Sequence, residues 1–289
     1  MNPIRQILSK KKIFSFEIFP PKTPEGEAQL FKNLAELKKL SPDFISVTMG
    51  AMGSNQRNTF EIVNRIQTEH AITGVAHLTC IGSNRNKIRE ALKELKDKKI
   101  SHLLCLRGDP PLDSTYQAPQ DGFRYANELV EFIRNESGSD FTLGVAGYPE
   151  GHIESPSKEE DLKNLKKKVN AGAEYIITQL FFNNDDYFSF VDRARKIGIF
   201  VPIIPGIMTV TNFSQLKTFI KMCGAKIPDQ MYQDLIRIKD NPEQVREYGI
   251  EYAIHQCQNL SQRGTPGLHF YILNQTGPMK KIYEALQIK

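Results

Sequence analysis

A glutamate among aromatic and aliphatic residues is the first position whose surroundings favour chemistry. Glu17 lies in the segment FSFEIFPP, between Phe16 and Ile18, and two prolines follow it directly. An apolar environment penalises a charged carboxylate, so we expect a raised pKa that keeps this carboxyl a proton donor near neutral pH. The alternative is a structural carboxylate paired with an arginine or lysine.

The segment LCLRGDPP places a cation, a glycine and an acid next to one another. Arg107 can bind a phosphate or a carboxylate through its forked guanidinium. Gly108 allows a ligand to approach the backbone closely, and Asp109 supplies a carboxylate. A simple ion pair between Arg107 and Asp109 is the alternative interpretation.

Other polar residues stand at the ends of short apolar runs, namely Thr48, His77, Tyr148, Glu150, His152 and Gln179. A lone histidine in a strand is more often a buried core group than a ligand or a base. No H-x-H or H-x-x-x-H spacing occurs, so we expect no metal site. No G-x-S-x-G motif is present, and the centres of the apolar runs lack the lysine that a Schiff-base enzyme needs.

The elements that must position these residues alternate along the chain. Eight short apolar runs lie near residues 13–19, 43–48, 74–79, 101–106, 141–147, 174–181, 200–204 and 268–273. Stretches of helical period lie at 25–40, 58–69, 84–98, 122–136, 158–171, 184–197, 212–222 and 276–286, with an additional one at 229–262. Several runs are continuously apolar, which is typical of strands buried on both faces of a parallel sheet.

Eight strands, each followed by a helix, are the number that closes a barrel. We therefore predict one (β/α)8 barrel domain over residues 1–289, with an extra helical insertion before the last strand. An open doubly wound sheet is the alternative, although no G-x-G-x-x-G follows the first strand. Barrel enzymes carry their chemistry at the carboxyl ends of the strands, where the polar residues above are expected to meet.

Asp161, Asn164 and Lys168 share one face of a predicted helix. The residues alone favour a solvent-exposed face. The alternative is a face turned toward the barrel mouth, where it offers donors and a cation to a diphosphate.

Composition excludes several classes of protein. No apolar stretch approaches the roughly 18 residues that span a bilayer, and the N-terminus lacks the pattern of a signal peptide. The four cysteines are far apart, as expected for free thiols in a reducing cytoplasm. The net charge is +5, but the lysines stand beside acids on helical faces, so we expect no nucleic acid and at most a mild preference for anionic ligands.

Eight segments occur in one order along the whole chain: FSFEIFPPKTPEGE, FISVTMGA, AHLTC, LLCLRGDPP, VAGYPEGH, NLKKKVNAGAEYIITQLFF, IIPGIMTVTNF and HFYILN. Together they resemble the methylenetetrahydrofolate reductase family, in its short bacterial form without a C-terminal regulatory region. The resemblance implies an FAD-containing barrel that takes a hydride from NADH or NADPH in a ping-pong reaction. The hydride passes to 5,10-methylenetetrahydrofolate and gives 5-methyltetrahydrofolate, a step of one-carbon metabolism and methionine biosynthesis. Short bacterial relatives suggest NADH, and relatives are often homo-oligomers.

The resemblance also implies roles for individual residues. Glu17 matches the family's general acid, and Asp109 matches an aspartate between flavin and pterin. The residues implied to bind substrate are Asp109, Gln179, Gln215, Phe219 and Gln275. The residues implied to bind FAD are Thr48, Met49, Ala51, His77, Leu106, Arg107, Gly108, Asp109, Tyr125, Ala126, Tyr148, His152, Asp161, Asn164, Lys167 and Lys168. For the helix face at 161–168, the resemblance thus favours the FAD diphosphate over solvent.

Two positions depart from the family's pattern. Met49 stands where related sequences often have a tyrosine beside the flavin, which makes this contact apolar and polarisable. Gln275 stands where an arginine commonly holds the glutamate carboxylate of the folate, and a neutral amide binds a carboxylate less strongly. Either folate binding is weaker here, or Lys280 or Lys281 takes the arginine's place.

Two other functions are compatible with a flavin or folate barrel. One is another flavin-dependent oxidoreductase of the proline-dehydrogenase type, which lacks the F-E-x-F-P-P and L-R-G-D segments. The other is a catalytically silent barrel that senses folate or flavin. The sequence opposes the second, because Glu17, Asp109 and Gln179 are all present.

The missing arginine gives a direct test of the substrate site. We expect Gln275→Arg to lower the KM for the folate substrate, since a guanidinium binds a carboxylate more strongly than an amide does. Steady-state kinetics at varied folate concentration measures this, and an unchanged or higher KM would count against the proposed role of Gln275.

Overall fold

The computed structural model describes residues 4–50, 56–109 and 119–287. Nine strands are described: β1 (Ile13–Ile18), β2 (Phe44–Val47), β3 (Thr73–Thr79), β4 (His102–Leu106), β5 (Thr142–Gly147), β6 (Tyr175–Thr178), β7 (Ile203–Ile204), β8 (Gly206–Met208) and β9 (Gly267–Tyr271). The helices of this part of the chain are α1 (Ile4–Leu8), α2 (Pro24–Lys38), α3 (Gln56–His70), α4 (Arg85–Asp97), α5 (Ala126–Ser137), α6 (Lys158–Asn170), α7 (Asn184–Lys196), α8 (Phe213–Cys223), α9 (Asp229–Ile238), α10 (Pro242–Gln262) and α11 (Gly277–Leu286).

All strands are parallel and form one sheet in the order β7-β6-β5-β4-β3-β2-β1-β9-β8. A single residue, Pro205, separates β7 from β8, so these two short strands form one continuous segment at 203–208. In this segment β7 pairs with β6 and β8 pairs with β9, and these two pairings close the ring. The predicted (β/α)8 barrel is therefore confirmed, and the open doubly wound alternative is wrong.

Alternation along the strands sorts side chains between the inside and the outside of the ring. Phe14, Phe16 and Ile18 pack in a core cluster with helix residues such as Leu30 and Leu34. Residues from six strands and α1 pack in a second cluster inside the ring: Ile4, Ile13, Phe44, Val75, Leu104, Tyr175, Ile177 and Ile204. Because successive side chains of a strand point to opposite faces, Ser15 and Glu17 face inward together with Ile13.

The insertion expected at 229–262 is present as two helices, α9 and α10. The break falls at Asn241, whose side chain accepts hydrogen bonds from the backbone N–H groups of Glu243 and Gln244, and Pro242 takes the first helical position. The inner faces of α8, α9 and α10 pack together around Leu216, Leu235 and other buried side chains. This packing places the insertion beside the closing segment of the barrel.

Helix starts follow local sequence signals. The side chains of Thr23, Asn84, Ser157, Asn183 and Asn212 each accept a hydrogen bond from a backbone N–H in the first turn of the helix that follows. Helix α1 was not among the expected helices. Within the described ranges, no helix has both the length and the apolar character needed to cross a membrane.

Gly249 on α10 provides a stability test of this packing. A Cβ atom at Gly249 would lie 1.7 Å from the backbone oxygen of Val210. At an exposed helical position Gly→Ala stabilises by about 1 kcal/mol, but here the overlap with backbone forces the helix to move. We expect Gly249→Ala to lower the free energy of unfolding by about 1–3 kcal/mol.

Urea denaturation followed by circular dichroism measures this change. Glu251→Ala on the same helix, at an exposed position, is the matched control and should stay within about 0.5 kcal/mol of wild type. An increased stability of Gly249→Ala would show that α10 does not lie against Val210.

Candidate active site

Glu17 on the inner face of β1 is the centre of a buried polar cluster. Its side chain is almost completely buried, and groups from three other strands contact the same oxygen, Oε2. Ser46 Oγ on β2 donates a hydrogen bond to it at 3.2 Å. His77 Nε2 on β3 lies 3.1 Å away, and His269 Nε2 on β9 lies 3.5 Å away.

This environment makes the expected pKa shift of Glu17 wrong in sign. Burial pushes the pKa upward, but the charges and hydrogen bonds of His77 and His269 outweigh burial and lower the pKa from 4.5 to about 2. The neighbours of Glu17 in the sequence, Phe16 and Ile18, point to the other face of β1, where they pack with the helices, and so they do not surround the carboxyl. Glu17 is therefore ionised at neutral pH in this structure.

His269 completes the cluster, although it was not among the residues selected from the sequence. Its Nδ1 lies 2.8 Å from Ser15 Oγ, and its ring stacks on Phe44. Burial lowers the pKa of His269, which favours the neutral ring. When Nδ1 accepts from the Ser15 hydroxyl, the neutral ring carries its proton on Nε2, which lies 3.5 Å from Glu17 Oε2. The one available signal was a histidine on a predicted strand, whose partner strands the sequence does not reveal.

A groove of about 590 Å³ opens at the same end of the barrel, between the carboxyl ends of β4 and β5, the start of α5 and one face of α6. This volume is in the usual range for ligand sites. Ten of the residues predicted to bind FAD line it: Leu106, Arg107, Tyr125, Ala126, Tyr148, His152, Asp161, Asn164, Lys167 and Lys168. The structure thus brings together residues from four separate segments of the chain.

The face of α6 that meets the groove carries a buried aspartate, Asp161, and a partly buried lysine, Lys168. Lys168 Nζ donates to the backbone oxygen of Ala146 at 2.6 Å and lies 5.7 Å from the centre of the Tyr148 ring. Burial lowers the pKa of Lys168 to about 8, opposed by the charge of Asp161. Burial raises the pKa of Asp161, opposed by Lys168 and His152. For Asp161 and Lys168 the solvent interpretation is therefore wrong.

Asn164 and Lys167 occupy the outer rim of the same face. Both are exposed, and Lys167 Nζ donates to Asn164 Oδ1 at 2.9 Å. The remaining groove cation, Arg107, binds Glu154 through both arms of its guanidinium, with distances of 2.5 and 2.8 Å. The alternative of an Arg107–Asp109 ion pair is not found among the described residues.

Gly108 has a conformation that favours glycine. Its φ is +83°, and a Cβ atom there would lie 2.7 Å from Ile81 Cγ2 and 3.0 Å from Thr79 Cβ. The turn at Gly108 therefore holds Arg107 and Asp109 at the end of β4 with the backbone close to β3. Asp109 is exposed and is the last described residue before the gap at 110–118.

Other predicted flavin contacts lie outside the set that lines the groove. Thr48 and Met49 follow β2, and Met49 Sδ accepts a hydrogen bond from the Thr79 hydroxyl at 3.3 Å. His77 contacts Glu17 instead. Ala51 lies outside the described residues.

The predicted substrate residues are spread over the ends of other strands. Gln179 follows β6, and its Oε1 accepts a hydrogen bond from the backbone N–H of Leu180. Gln215 is exposed on α8, where Phe219 packs against the insertion. Gln275 is exposed after β9. None of these four is among the described residues that line the groove.

Of the two lysines near Gln275, one is already engaged. Lys281 Nζ forms an ion pair with Glu247 at 2.6 Å. Lys280 is exposed on the same short helix, α11. Lys280 is thus the better substitute for the missing arginine.

The donors around the groove suit an anionic ligand that carries hydroxyl groups. Tyr125 is the N-cap residue of α5 and makes no side-chain capping bond, and the positive end of the helix dipole at this point favours an anion. Arg107, Lys167 and Lys168 add positive charge, and Asp161 offers an acceptor for hydroxyls. A dinucleotide with a diphosphate and ribose groups fits this donor set.

Fold and site together define a (β/α)8-barrel protein with a ligand groove and a buried carboxylate at the carboxyl ends of its strands. A sequence model of the methylenetetrahydrofolate reductase family matches residues 3–287. The 5,10-methylenetetrahydrofolate reductase of Escherichia coli K12 is 38% identical over 275 residues, which cover 95% of this chain and 90% of that protein. The chain belongs to the methylenetetrahydrofolate reductase family.

Eukaryotic relatives are longer. Methylenetetrahydrofolate reductase 1 of Schizosaccharomyces pombe is 39% identical over 278 residues, which cover 96% of this chain and 46% of that protein. The Arabidopsis thaliana protein named methylenetetrahydrofolate reductase (NADH) 1 is 41% identical over 271 residues, with 90% and 46% covered. This chain spans about half the length of these relatives.

Solved structures support the fold. An uncharacterized protein from Clostridium thermocellum that binds two copies of 5-methyl-5,6,7,8-tetrahydrofolic acid superposes with a TM-score of 0.62 at 15% identity, over 99% of this chain and 98% of that one. A 2,3-dimethylmalate lyase superposes with a TM-score of 0.54 at 9% identity, over 99% and 86%. At these identities the likeness concerns the fold alone.

The histidine cluster predicts how the pKa of Glu17 responds to substitution. His269→Asn removes an imidazole from Glu17 Oε2, while the carboxyl stays buried. We expect the pKa of Glu17 to rise by about 1–2 units, because burial raises this pKa and only His77 then remains to lower it.

Carbon-13 NMR of a glutamate-labelled protein measures this pKa, with Glu17→Gln identifying the resonance. His255→Asn, on α10 and outside the cluster, is the matched control. An unchanged or lower pKa of Glu17 in His269→Asn would mean that His269 does not stabilise the carboxylate.

Proposed function

We propose that the protein catalyses the FAD-dependent reduction of 5,10-methylenetetrahydrofolate to 5-methyltetrahydrofolate, with NADH as the preferred electron donor over NADPH. The hydride passes through the flavin in a ping-pong reaction that serves one-carbon metabolism and methionine biosynthesis. The observation that carries this proposal is the groove at the carboxyl ends of β4 and β5, whose lining includes ten of the residues expected to bind FAD. The names of plant relatives, which specify NADH, favour that nucleotide.

The cofactor is proposed to bind with its diphosphate near the start of α5, Arg107 and Lys168, and a ribose near Asp161. These are the positive and hydroxyl-binding groups of the groove. When bound, FAD supplies a group that accepts a hydride from the nicotinamide and donates it to the folate. The fit of Arg107 and Lys168 to phosphate follows from charge and geometry.

The substrate is proposed to lie over the barrel mouth between Asp109 and the ends of β6 and β9. Asp109 would favour a positive charge that develops on the pterin. Gln179, Gln215 and Phe219 would contact the folate or the nicotinamide, and Gln275 or Lys280 would meet the glutamate tail. The Clostridium thermocellum protein of the same fold binds a methylated folate, which is compatible with a folate in this barrel.

Glu17 is proposed to protonate the folate, but it cannot hold the proton alone at neutral pH. Its pKa of about 2 reflects two imidazoles on one carboxylate oxygen. We therefore assign the proton to the Glu17–His77–His269 cluster as a unit.

The proposal includes the setting of the enzyme. We propose a cytoplasmic protein whose single catalytic domain spans the chain and assembles into a homo-oligomer. The wide spacing of the four cysteines favours the cytoplasm. Size-exclusion chromatography with light scattering measures the oligomeric state.

Absorbance spectroscopy tests the cofactor and the reaction together. The purified protein should absorb near about 450 nm. NADH should bleach this band without oxygen, and methylenetetrahydrofolate should restore it. A protein that stays colourless after incubation with FAD would refute the proposed function, and bleaching of the band by proline instead of NADH would indicate the other flavin barrel.

Glu17→Gln separates the two half-reactions. We expect NADH to reduce the flavin at the wild-type rate, whereas transfer to the folate falls by about 10²- to 10⁴-fold, because the cluster then lacks the carboxyl that is proposed to pass its proton to the folate. Anaerobic stopped-flow absorbance measures both steps. Glu25→Gln, exposed on α2, is the control that should leave both unchanged. If folate reduction survives in Glu17→Gln, Glu17 is not the acid.

A further inference from the structure

Arg107 is engaged by a carboxylate from the opposite wall of the groove. Glu154 lies on the loop between β5 and α6, which also carries Tyr148 and His152. Its two oxygens accept hydrogen bonds from both terminal nitrogens of Arg107, and Arg107 Nε donates to the backbone oxygen of Gly108. Both partners line the groove.

This pairing uses the same geometry that a phosphate would use. A guanidinium binds carboxylate and phosphate oxygens through the same pair of parallel N–H groups. The Arg107–Glu154 contact raises the pKa of Arg107 and lowers the pKa of Glu154, as expected of a charge-assisted pair. A phosphate that approaches Arg107 in this orientation must therefore exchange with Glu154.

The other acids of the groove are differently engaged. Glu160 forms an ion pair with Lys163 at 3.2 Å on the surface of α6. Asp161 is buried beside Lys168, and Glu128 accepts a hydrogen bond from the backbone N–H of Arg124. Among the described residues, Glu154 is the acid that forms a salt bridge with Arg107.

The loop that carries Glu154 is also fixed close to the groove. The backbone N–H of Glu154 donates to His152 Nδ1 at 3.1 Å, and the His152 ring meets the Tyr148 ring edge-on at 4.6 Å. The Glu154 side chain itself is half exposed, so it can turn to solvent without moving this turn. Exchange of the carboxylate for a ligand oxygen thus requires side-chain rotation alone.

We propose that Glu154 competes with the phosphate groups of FAD for Arg107 and so sets the affinity of the protein for its cofactor. This inference rests on the proposed function, because it takes FAD as the ligand of the groove. Glu154 acts as an affinity determinant that weakens cofactor binding. Its removal should strengthen binding only while Arg107 is present.

Dilution of the FAD-loaded full-length protein measures the affinity, since released FAD is more fluorescent than bound FAD. We expect Glu154→Gln to lower the dissociation constant of FAD by about threefold or more, a size typical of a partly exposed ion pair. Glu160→Gln removes the same charge from the same groove without touching Arg107. It should change the dissociation constant by less than half as much.

A double-mutant cycle identifies the route of the effect. In an Arg107→Met background, Glu154→Gln should no longer strengthen FAD binding beyond the change that Glu160→Gln produces. Weaker FAD binding in Glu154→Gln would overturn the proposal, since it would mean that Glu154 orders Arg107 for the cofactor. An equal gain in both backgrounds would overturn it as well, because the effect would then be one of net charge.

A different result would show that the proposed function itself is wrong. Wild-type protein that binds no FAD at any concentration refutes both proposals at once. Wild-type protein that binds FAD, with Glu154→Gln no tighter than wild type, refutes the competition alone.

Discussion

Closure of the parallel sheet by the segment at 203–208 is the constraint on which the site depends. This segment has one edge on β6 and the other on β9, with Pro205 between its two short strands. The backbone oxygen of Pro205 accepts a hydrogen bond from the N–H of His269, so the closing segment holds the strand that carries this histidine. Once the ring is closed, the inward-facing polar side chains of β1, β2, β3 and β9 meet one another inside it.

Much of the fold could be predicted because its signals are local. The continuously apolar runs, the capping residues before the helices and the polar residues at the strand ends are all visible in the sequence. The exception is α1, a short helix whose Ile4 packs inside the ring with residues from six strands. Nothing in its five residues indicates that packing, which depends on the finished barrel.

Ten residues that line the groove could be named from the sequence, but the electrostatic environment of Glu17 could not be predicted from it. Phe16 and Ile18 suggested an apolar environment for Glu17, yet adjacent residues in a strand point to opposite faces. The surroundings of Glu17 come from the strands paired with β1, and pairing register is a long-range property. The same limit applies to Arg107, whose partner Glu154 is 47 residues away on another loop. The local sequence therefore indicated Glu17 and Arg107 as candidates, but it did not indicate the residues that contact them.

The contacts of Glu17 have a consequence for its orientation. Three groups from three strands meet one oxygen of the carboxyl, so rotation of this group would break all of these contacts together. Folding itself selects the direction in which the second oxygen points. A carboxyl that folding has already oriented loses little rotational freedom when a ligand meets it. The entropy lost in ordering this carboxyl is therefore part of the free energy of folding, and it is not lost again when a ligand binds.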